Sequence, residues 1–268
     1  MSLFNFDTGE FLAFFSVLVR FSTMLAVLPF FGDRMIPTTI KVLISLCLTV
    51  MLFPVLIRTG QVSPAQAEIW GSSSFGIITT VVLEAVFGLV IGFVSRMIFF
   101  IIEFAGNLIG QLMGFAAASM YDPHQESQTQ VVAQLHTVIA MLVFIGVDGH
   151  YEMLRAALGS YAIVGVGAVG FRAVFGERLI AVTGEVLSVG FRLSAPMAIT
   201  TFGINVAIGV IAKSMPQLNV LVLSLGLSAL AGLCVLLLTF SDFQMIASGF
   251  FQEIGESMAL MMRAAKGG

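Results

Sequence analysis

Long runs without a charged residue, separated by short polar turns, dominate this chain. Six of them contain no Asp, Glu, Lys or Arg: residues 42–57, 69–83, 104–121, 127–147, 193–212 and 214–241. Another apolar segment, residues 11–31, is interrupted only by Arg20. The pattern predicts an all-α polytopic membrane protein with about six main hydrophobic helical regions, because about 20 apolar residues let a helix cross a ~30 Å hydrocarbon core.

Two segments are too long for one ordinary crossing. Residues 72–120 contain neither a proline nor a polar loop. We expect them either to bend back or to continue among other protein, because irregular backbone at membrane depth must be shielded from lipid. Residues 178–212 also exceed one untilted span and include Glu185, Arg192 and Pro196. The glycine-rich residues 159–170 are expected to form a flexible linker rather than a stable helix.

Composition excludes an ordinary soluble enzyme. Hydrophobic residues make up 58% of the 268 residues and charged residues 10%, against about 25% charged residues in globular proteins. A soluble fold of this size cannot bury so many apolar side chains. The net charge of −3 gives no basic surface for nucleic acid. Cys47 and Cys234 lie in apolar runs, so we expect buried thiols and no disulfide framework.

No catalytic constellation is visible. His124, His136 and His150 do not share metal-ligand spacing with Cys, Asp or Glu on one helix face. The chain contains no nucleophile-elbow, P-loop or dinucleotide-binding pattern. We therefore predict a protein that is not an enzyme and that binds neither a metal nor a cofactor.

Ionisable residues inside the apolar runs are candidate functional positions, because charges in lipid are costly and usually have a partner or mark a pathway. They are Arg20, Glu84, Arg96, Glu103, Glu185 and Arg192. Glu84 and Arg96 are too far apart in sequence to pair along one helix. Pairing with neighbouring helices or subunits is one interpretation. A proton or ion relay is the other, which would suit a small secondary transporter with Glu84, Arg96 or Glu103 in a midplane site.

Glycines at every fourth position form the sharpest local pattern. Gly106, Gly110 and Gly114 repeat this spacing, as do Gly88 and Gly92 one segment earlier, and small residues on one helix face let another backbone approach closely. Soft or apolar side chains accompany the first three glycines, so a narrow, deformable constriction is the alternative to simple packing. We call residues 106–120 the plug segment; its further candidate residues are Gln111, Leu112, Met113, Phe115 and Met120.

Three motifs in order along the chain resemble the FliR family of the flagellar export gate and its injectisome counterparts. The first comprises Arg20, Pro29, Ile36-Pro37, Lys41 and Pro54. The second comprises Ala105-Gly106, Leu108-Ile109-Gly110, Met113-Gly114 and the closing Asp122-Pro123. The third is Met215-Pro216-Gln217-Leu218-Asn219-Val220. The family usually has Gln-Met-Gly, whereas Leu112 and Met113 follow Gln111 here.

This resemblance implies a core subunit of the flagellar type III protein export gate in the bacterial inner membrane. In that family one FliR copy joins several FliP and FliQ copies in a closed helical assembly, with FlhB around it. The implied partners are FliP, FliQ, FlhB and FlhA, the exported unfolded flagellar proteins and membrane lipid. The implied channel passes unfolded flagellar proteins across the membrane.

The same resemblance implies two parts along the chain. Residues 1–175 are expected to be a FliP-like helical part that carries the plug segment, and residues 176–268 a FliQ-like helical hairpin. Pro216 removes a backbone donor and is expected to fix the break of the hairpin. Gln217 and Asn219 are expected to cap the freed backbone or to contact a neighbouring subunit.

Overall fold

The computed structural model describes residues 7–28, 36–115, 130–167, 173–214 and 219–266. In these ranges every regular element is an α-helix. The helices are α1 (Thr8–Val27), α2 (Thr38–Arg58), α3 (Pro64–Gly71), α4 (Ser74–Leu112), α5 (Gln130–Gly146), α6 (Gly149–Ile163), α7 (Ala173–Ser214), α8 (Val220–Leu238), α9 (Phe240–Gln252) and α10 (Ile254–Lys266).

Five of these helices are long and apolar enough to cross a membrane. They are Thr8–Val27, Thr38–Arg58, Ser74–Leu112, Leu179–Ser214 and Val220–Leu238. The broken pair Val131–Gly146 and Gly149–Ile163 makes a sixth if it counts as one span. The prediction of an all-α polytopic membrane protein is therefore confirmed.

The first over-long segment continues as one helix. The 39 residues of α4 extend for about 58 Å at 1.5 Å per residue, roughly twice the hydrocarbon thickness. The chain does not bend back before Gly114, whose φ of 89° is a conformation that favours glycine at a helix end. The second over-long segment is likewise one helix, the 42-residue α7, with Pro196 inside it.

The linker expected at residues 159–170 is only partly found. Helix α6 continues to Ile163 and so includes Gly159, which corrects the expectation for residues 159–163. Ser160 and Tyr161 are each 2% exposed, and burial of this helix face offsets the conformational cost of a glycine. Residues 164–167 are not helical, and residues 168–170 lie outside the described ranges.

Contacts group the described residues into two units. The first contains residues from 1–97, 149–181 and 252–268. In it α1 packs against α2 and α3, and α10 packs against α6. The amphipathic α10 buries Met258, Met261 and Met262, each at most 2% exposed. These thioether side chains fill the irregular space beneath a short helix.

The second unit contains residues from 98–148 and 182–251. The rings of Phe99, Phe144 and Phe251 form one cluster, with centroids 5.0–5.3 Å apart. A separate core cluster contains Ile109, Met113, Val132 and Met197. This second cluster fixes the end of α4, where the plug segment begins.

Large apolar side chains remain exposed along the candidate spans. Examples are Met51 at 71%, Phe202 at 71% and Leu238 at 79%. A soluble monomer does not expose apolar surface on this scale. These faces fit contact with lipid or with other subunits. Cys47 and Cys234 are also exposed, so the expectation of buried thiols was wrong: each lies on a helix face that the rest of this chain does not cover.

Candidate functional site

A buried ion pair connects α1 and α4. Nε of Arg20 donates to Oε2 of Glu84 at 2.6 Å, and Nη2 of Arg20 donates to Oε1 at 3.0 Å. The side chain of Arg20 is 2% exposed and that of Glu84 is 0% exposed. Two parallel bonds of this kind are the strong form of an arginine–carboxylate interaction. The pair neutralises two of the six embedded charges.

The same pair holds the chain that follows α6. Nη1 of Arg20 donates to the hydroxyl of Ser160 at 3.0 Å, and both Nη atoms donate to the carbonyl oxygen of Val164 at 3.2 Å. The backbone N–H of Gly167 donates to Oε1 of Glu84 at 3.2 Å. Gly167 has a φ of 71°, which lets the backbone turn toward the carboxylate. The ion pair thus fixes the segment between α6 and α7.

An aromatic ring completes the surroundings of the guanidinium. Its central carbon lies 3.8 Å from the centroid of the Tyr161 ring and 5.4 Å from that of Phe87. Among the described residues the buried Tyr161 hydroxyl has no hydrogen-bond partner. Tyr161 therefore contributes the face of its ring, which attracts a cation.

Glycines bring α1 and α4 close together at this pair. A Cβ on Gly88 would collide with the Thr23 hydroxyl and the backbone of Arg20. A Cβ on Gly92 would lie 2.8 Å from the carbonyl oxygen of Met24, a distance that real Cβ atoms do not adopt. For this earlier glycine pair, the spacing serves close helix packing.

The other four embedded charges are exposed. They are Arg96, Glu103, Glu185 and Arg192. Across the parts of the chain that the structure describes, none of them forms a salt bridge. Of the two interpretations of embedded charges, pairing with a neighbouring helix therefore holds for Arg20 and Glu84. The remaining four lack such a partner within the described chain.

Arg192 faces a cavity of about 160 Å³ in the second unit. His136, Pro196 and Asp242 also line this cavity. Nδ1 of His136 lies 2.8 Å from the carbonyl oxygen of Val132, and since a carbonyl oxygen only accepts, Nδ1 carries the proton in this bond. The cavity is polar on one side and offers room for several water molecules.

Gly106 lies in a tight helix contact. A Cβ on this residue would lie 2.7 Å from the Cα of Ala133 in α5. Gly106 and Gly110 are both buried. At Gly106 the glycine thus has the packing role that its spacing also allowed.

Met113 and its neighbours lie in the core of the second unit. Met113 is 4% exposed, and a Cβ on Gly232 of α8 would lie 2.9 Å from both its Sδ and its Cε atoms. Leu112 and Phe115 are partly buried against the same cluster. The N–H of Gly114 donates to the carbonyl oxygen of Gln111 at 3.0 Å, and the side chain of Gln111 is exposed.

Several predicted residues fall outside the described ranges. These are Met120 of the plug segment, and Pro216 and Gln217 of the hairpin. Asn219 is described: its Oδ1 accepts a hydrogen bond from the N–H of Val222 at 3.4 Å and so caps the N-terminus of α8. Capping is one of the two roles expected for this residue.

Sequence reasoning missed the residues that surround the ion pair. Ser160, Tyr161, Val164 and Gly167 all lie in or next to the stretch expected to be a linker. The available signal was a Ser-Tyr pair between glycines, which is a weak one. Asp242 of the cavity was also missed, because it follows a long apolar run and reads as an ordinary helix start.

No metal-binding group is formed by the described residues: they contain no cluster of three His, Cys, Asp or Glu side chains that could hold an ion.

Comparison with known proteins gives a match over most of the chain. The family described as bacterial export proteins, family 1, matches residues 11–254. The chain is 26% identical over 251 residues to the flagellar biosynthetic protein FliR of Bacillus subtilis (strain 168), covering 92% of this chain and 93% of that protein. It is 23% identical over 235 residues to FliR of Escherichia coli (strain K12), covering 85% and 87%.

An injectisome protein is also similar. The Yop proteins translocation protein T of Yersinia pestis is 28% identical over 169 residues, which cover 61% of this chain and 64% of that protein. The flagellar relatives thus align over a larger share of the chain.

Proposed function

We propose a function for this chain on the premise that it belongs to the bacterial export proteins, family 1. The resemblance to the FliR family is thereby confirmed. The proposed function is that of the FliR-type core subunit of a flagellar type III protein export gate. The observation that carries this proposal is the alignment with FliR over more than nine-tenths of both chains.

A deletion in the source bacterium tests this function. Cells without the gene should lose motility in soft agar and should stop secreting flagellar proteins, and a plasmid copy should restore both. Motile, secreting deletion cells would contradict the proposal. Loss of injectisome secretion with intact motility would instead favour the function of the Yersinia relative.

The proposed location is the inner membrane, at the base of the flagellum. Five or six candidate spans support a membrane location. We further propose that exported flagellar proteins pass, unfolded, through a channel to which this chain contributes.

We propose FliP-, FliQ-, FlhB- and FlhA-type proteins as the partners. The exposed charges Arg96, Glu103, Glu185 and Arg192 support assembly, because charges on apolar helices need partners once water is removed. The wide apolar surfaces of α7 and α8 support it as well. Purification through a tag on this chain should bring FliP- and FliQ-type subunits with it, whereas a stable, monodisperse monomer would contradict this assembly.

We keep the division of the sequence into a FliP-like part, residues 1–175, and a FliQ-like hairpin, residues 176–268. Support comes from α7 and α8, two long apolar helices of which the second begins at Asn219. This division refers to related stretches of sequence, and the two contact units group the chain by a different property.

The plug segment is proposed to seal the idle channel. A hydrophobic constriction can exclude ions by dewetting and still yield to a passing chain. Apolar Met113 and Phe115, and the backbone freedom of Gly114 with its φ of 89°, support this role. Deleting residues 112–118 should make membranes permeable to small ions while the complex still assembles. An assembled, ion-tight deletion would contradict the seal, and failure to assemble would favour a packing role.

A further inference from the structure

We propose that Gly232 of α8 is the seat that holds Met113, and with it the plug segment, in the closed position. This inference deepens the proposed sealing function and rests on it. It assigns to α8 the control of the seal: the plug segment can leave the closed position only when Met113 leaves Gly232.

The contact itself is specific to a glycine. Cγ, Cε and Sδ of Met113 are the three atoms nearest to a Cβ placed on Gly232. The whole Met113 side chain therefore lies over the bare backbone of that residue. A second contact lies close by, since a Cβ on Gly114 would be 2.6 Å from Cδ2 of Leu225. Both contacts join the end of α4 to one face of α8.

This face is the small buried part of an otherwise exposed helix. The buried residues of α8 are Ser228 and Gly232, one helical turn apart. Leu230, Leu233 and Leu237 are 66%, 55% and 73% exposed. Apart from its contacts within this chain, α8 thus presents most of its surface to lipid or to other subunits, and a displacement imposed there reaches Met113 directly.

The chemistry of the contact suits a reversible latch. A methionine side chain is flexible and fits irregular gaps, so it can leave and return without a high steric barrier. The contact involves no charge and no hydrogen bond. Its strength depends on shape alone, and shape can be changed in matched ways from both sides.

A disulfide tests whether the contact must open. Met113 and Gly232 are both replaced by Cys in a full-length chain whose Cys47 and Cys234 are replaced by Ser, expressed with its partners. The nearest atom to the new Cβ at position 232 is Cγ of Met113, so the two Cβ atoms lie within the range of a disulfide. Oxidation should stop secretion while membranes stay ion-tight, and reduction should restore secretion.

A matched control uses the neighbouring exposed position. The pair Met113→Cys and Leu233→Cys carries the same number of thiols, and Leu233 is 55% exposed. This pair should not cross-link within one chain, and oxidation should leave secretion unchanged. Full secretion with the 113–232 disulfide formed would overturn the latch, while the sealing function could still stand.

Compensating substitutions test the contact without a cross-link. Gly232→Ala should displace Met113 and raise the ion leak of the idle channel, and Met113→Ala should raise it by emptying the seat. The double variant restores the lost volume, so its leak should be lower than that of either single variant. A leak equal to the sum of the two single effects would overturn the latch. Co-purification of the partners is measured for every variant, and a contact that only supports folding would reduce assembly instead of raising the leak.

Discussion

Removal of the Glu84 carboxylate is the most informative perturbation of the buried ion pair. Glu84→Ala eliminates the bonds from Nε and Nη2 of Arg20, at 2.6 and 3.0 Å, and the bond from the Gly167 N–H at 3.2 Å. Arg20 remains, 2% exposed, with only the acceptors of Ser160 and Val164. The variant therefore leaves a buried cation without its counter-ion.

The expected loss is large compared with the stability of a protein. Breaking a buried pair by removing one partner costs about 3–5 kcal/mol, whereas net stabilities are about 5–15 kcal/mol. Glu84→Gln should cost less, because its amide oxygen can still accept from Gly167. It should still be harmful, because the amide nitrogen only donates and so does the guanidinium.

The measurement is the heat-induced loss of monodisperse complex in detergent, followed by size-exclusion chromatography. Glu84→Ala should lower the midpoint by about 10 °C, since 1 kcal/mol corresponds to about 2–4 °C in a protein of this size. The control is Glu152→Ala, which breaks the exposed pair between Glu152 and Arg155, also at 3.0 Å. Exposed pairs contribute about 0.2–1 kcal/mol, so this midpoint should change by about 3 °C at most.

A double variant separates the charge from the rest of the contact. Arg20→Met with Glu84→Leu removes both charges and keeps apolar volume, which other proteins tolerate. It leaves the Val164 carbonyl and the Gly167 N–H unpaired, so its midpoint should lie between those of Glu84→Ala and the unmodified protein. A Glu84→Ala midpoint no lower than that of Glu152→Ala would refute this reasoning, as would a double variant that loses as much as both single variants together.

Three further substitutions test the plug segment and the hairpin. Gly106→Leu should prevent assembly, because its side chain would occupy the backbone of Ala133; normal co-purification of partners would contradict this. Gly114→Ala should destabilise the end of α4 by about 1 kcal/mol, because its φ is 89°, and a thermal midpoint equal to the unmodified protein would rule this out. Gln217→Leu with Asn219→Leu should impair export while membrane targeting persists, and wild-type motility in that variant would leave only a turn at this position.

The fold class could be predicted from the sequence because it depends on local pattern. Charge-free runs of about 20 residues identify spans whatever they pack against. The continuity of α4 could not be predicted in this way, because nothing in residues 72–120 distinguishes a bend from a helix that continues beyond the membrane thickness. The structure resolves that choice up to Gly114.

The ion pair was predictable in kind but not in its partners. An arginine and a glutamate within apolar runs require counter-charges, and Arg20 and Glu84 supply them for each other. Their separation of 64 positions carries no local signal that would match them. The segment that they hold, around Val164 and Gly167, looks like a linker because its order comes from contacts distant in sequence.

The glycine spacing shows why a repeated motif needs its structural context. Gly88, Gly92 and Gly106 all remove a Cβ where another backbone passes, so the spacing there reports close packing. Gly114 has the same spacing but a φ of 89°, which makes it the point where the helix ends instead of a packing surface. Met113 precedes that point and lies over Gly232. The part of the motif with a candidate gating role is therefore its last turn, where a helix that can end meets a side chain that can leave its seat.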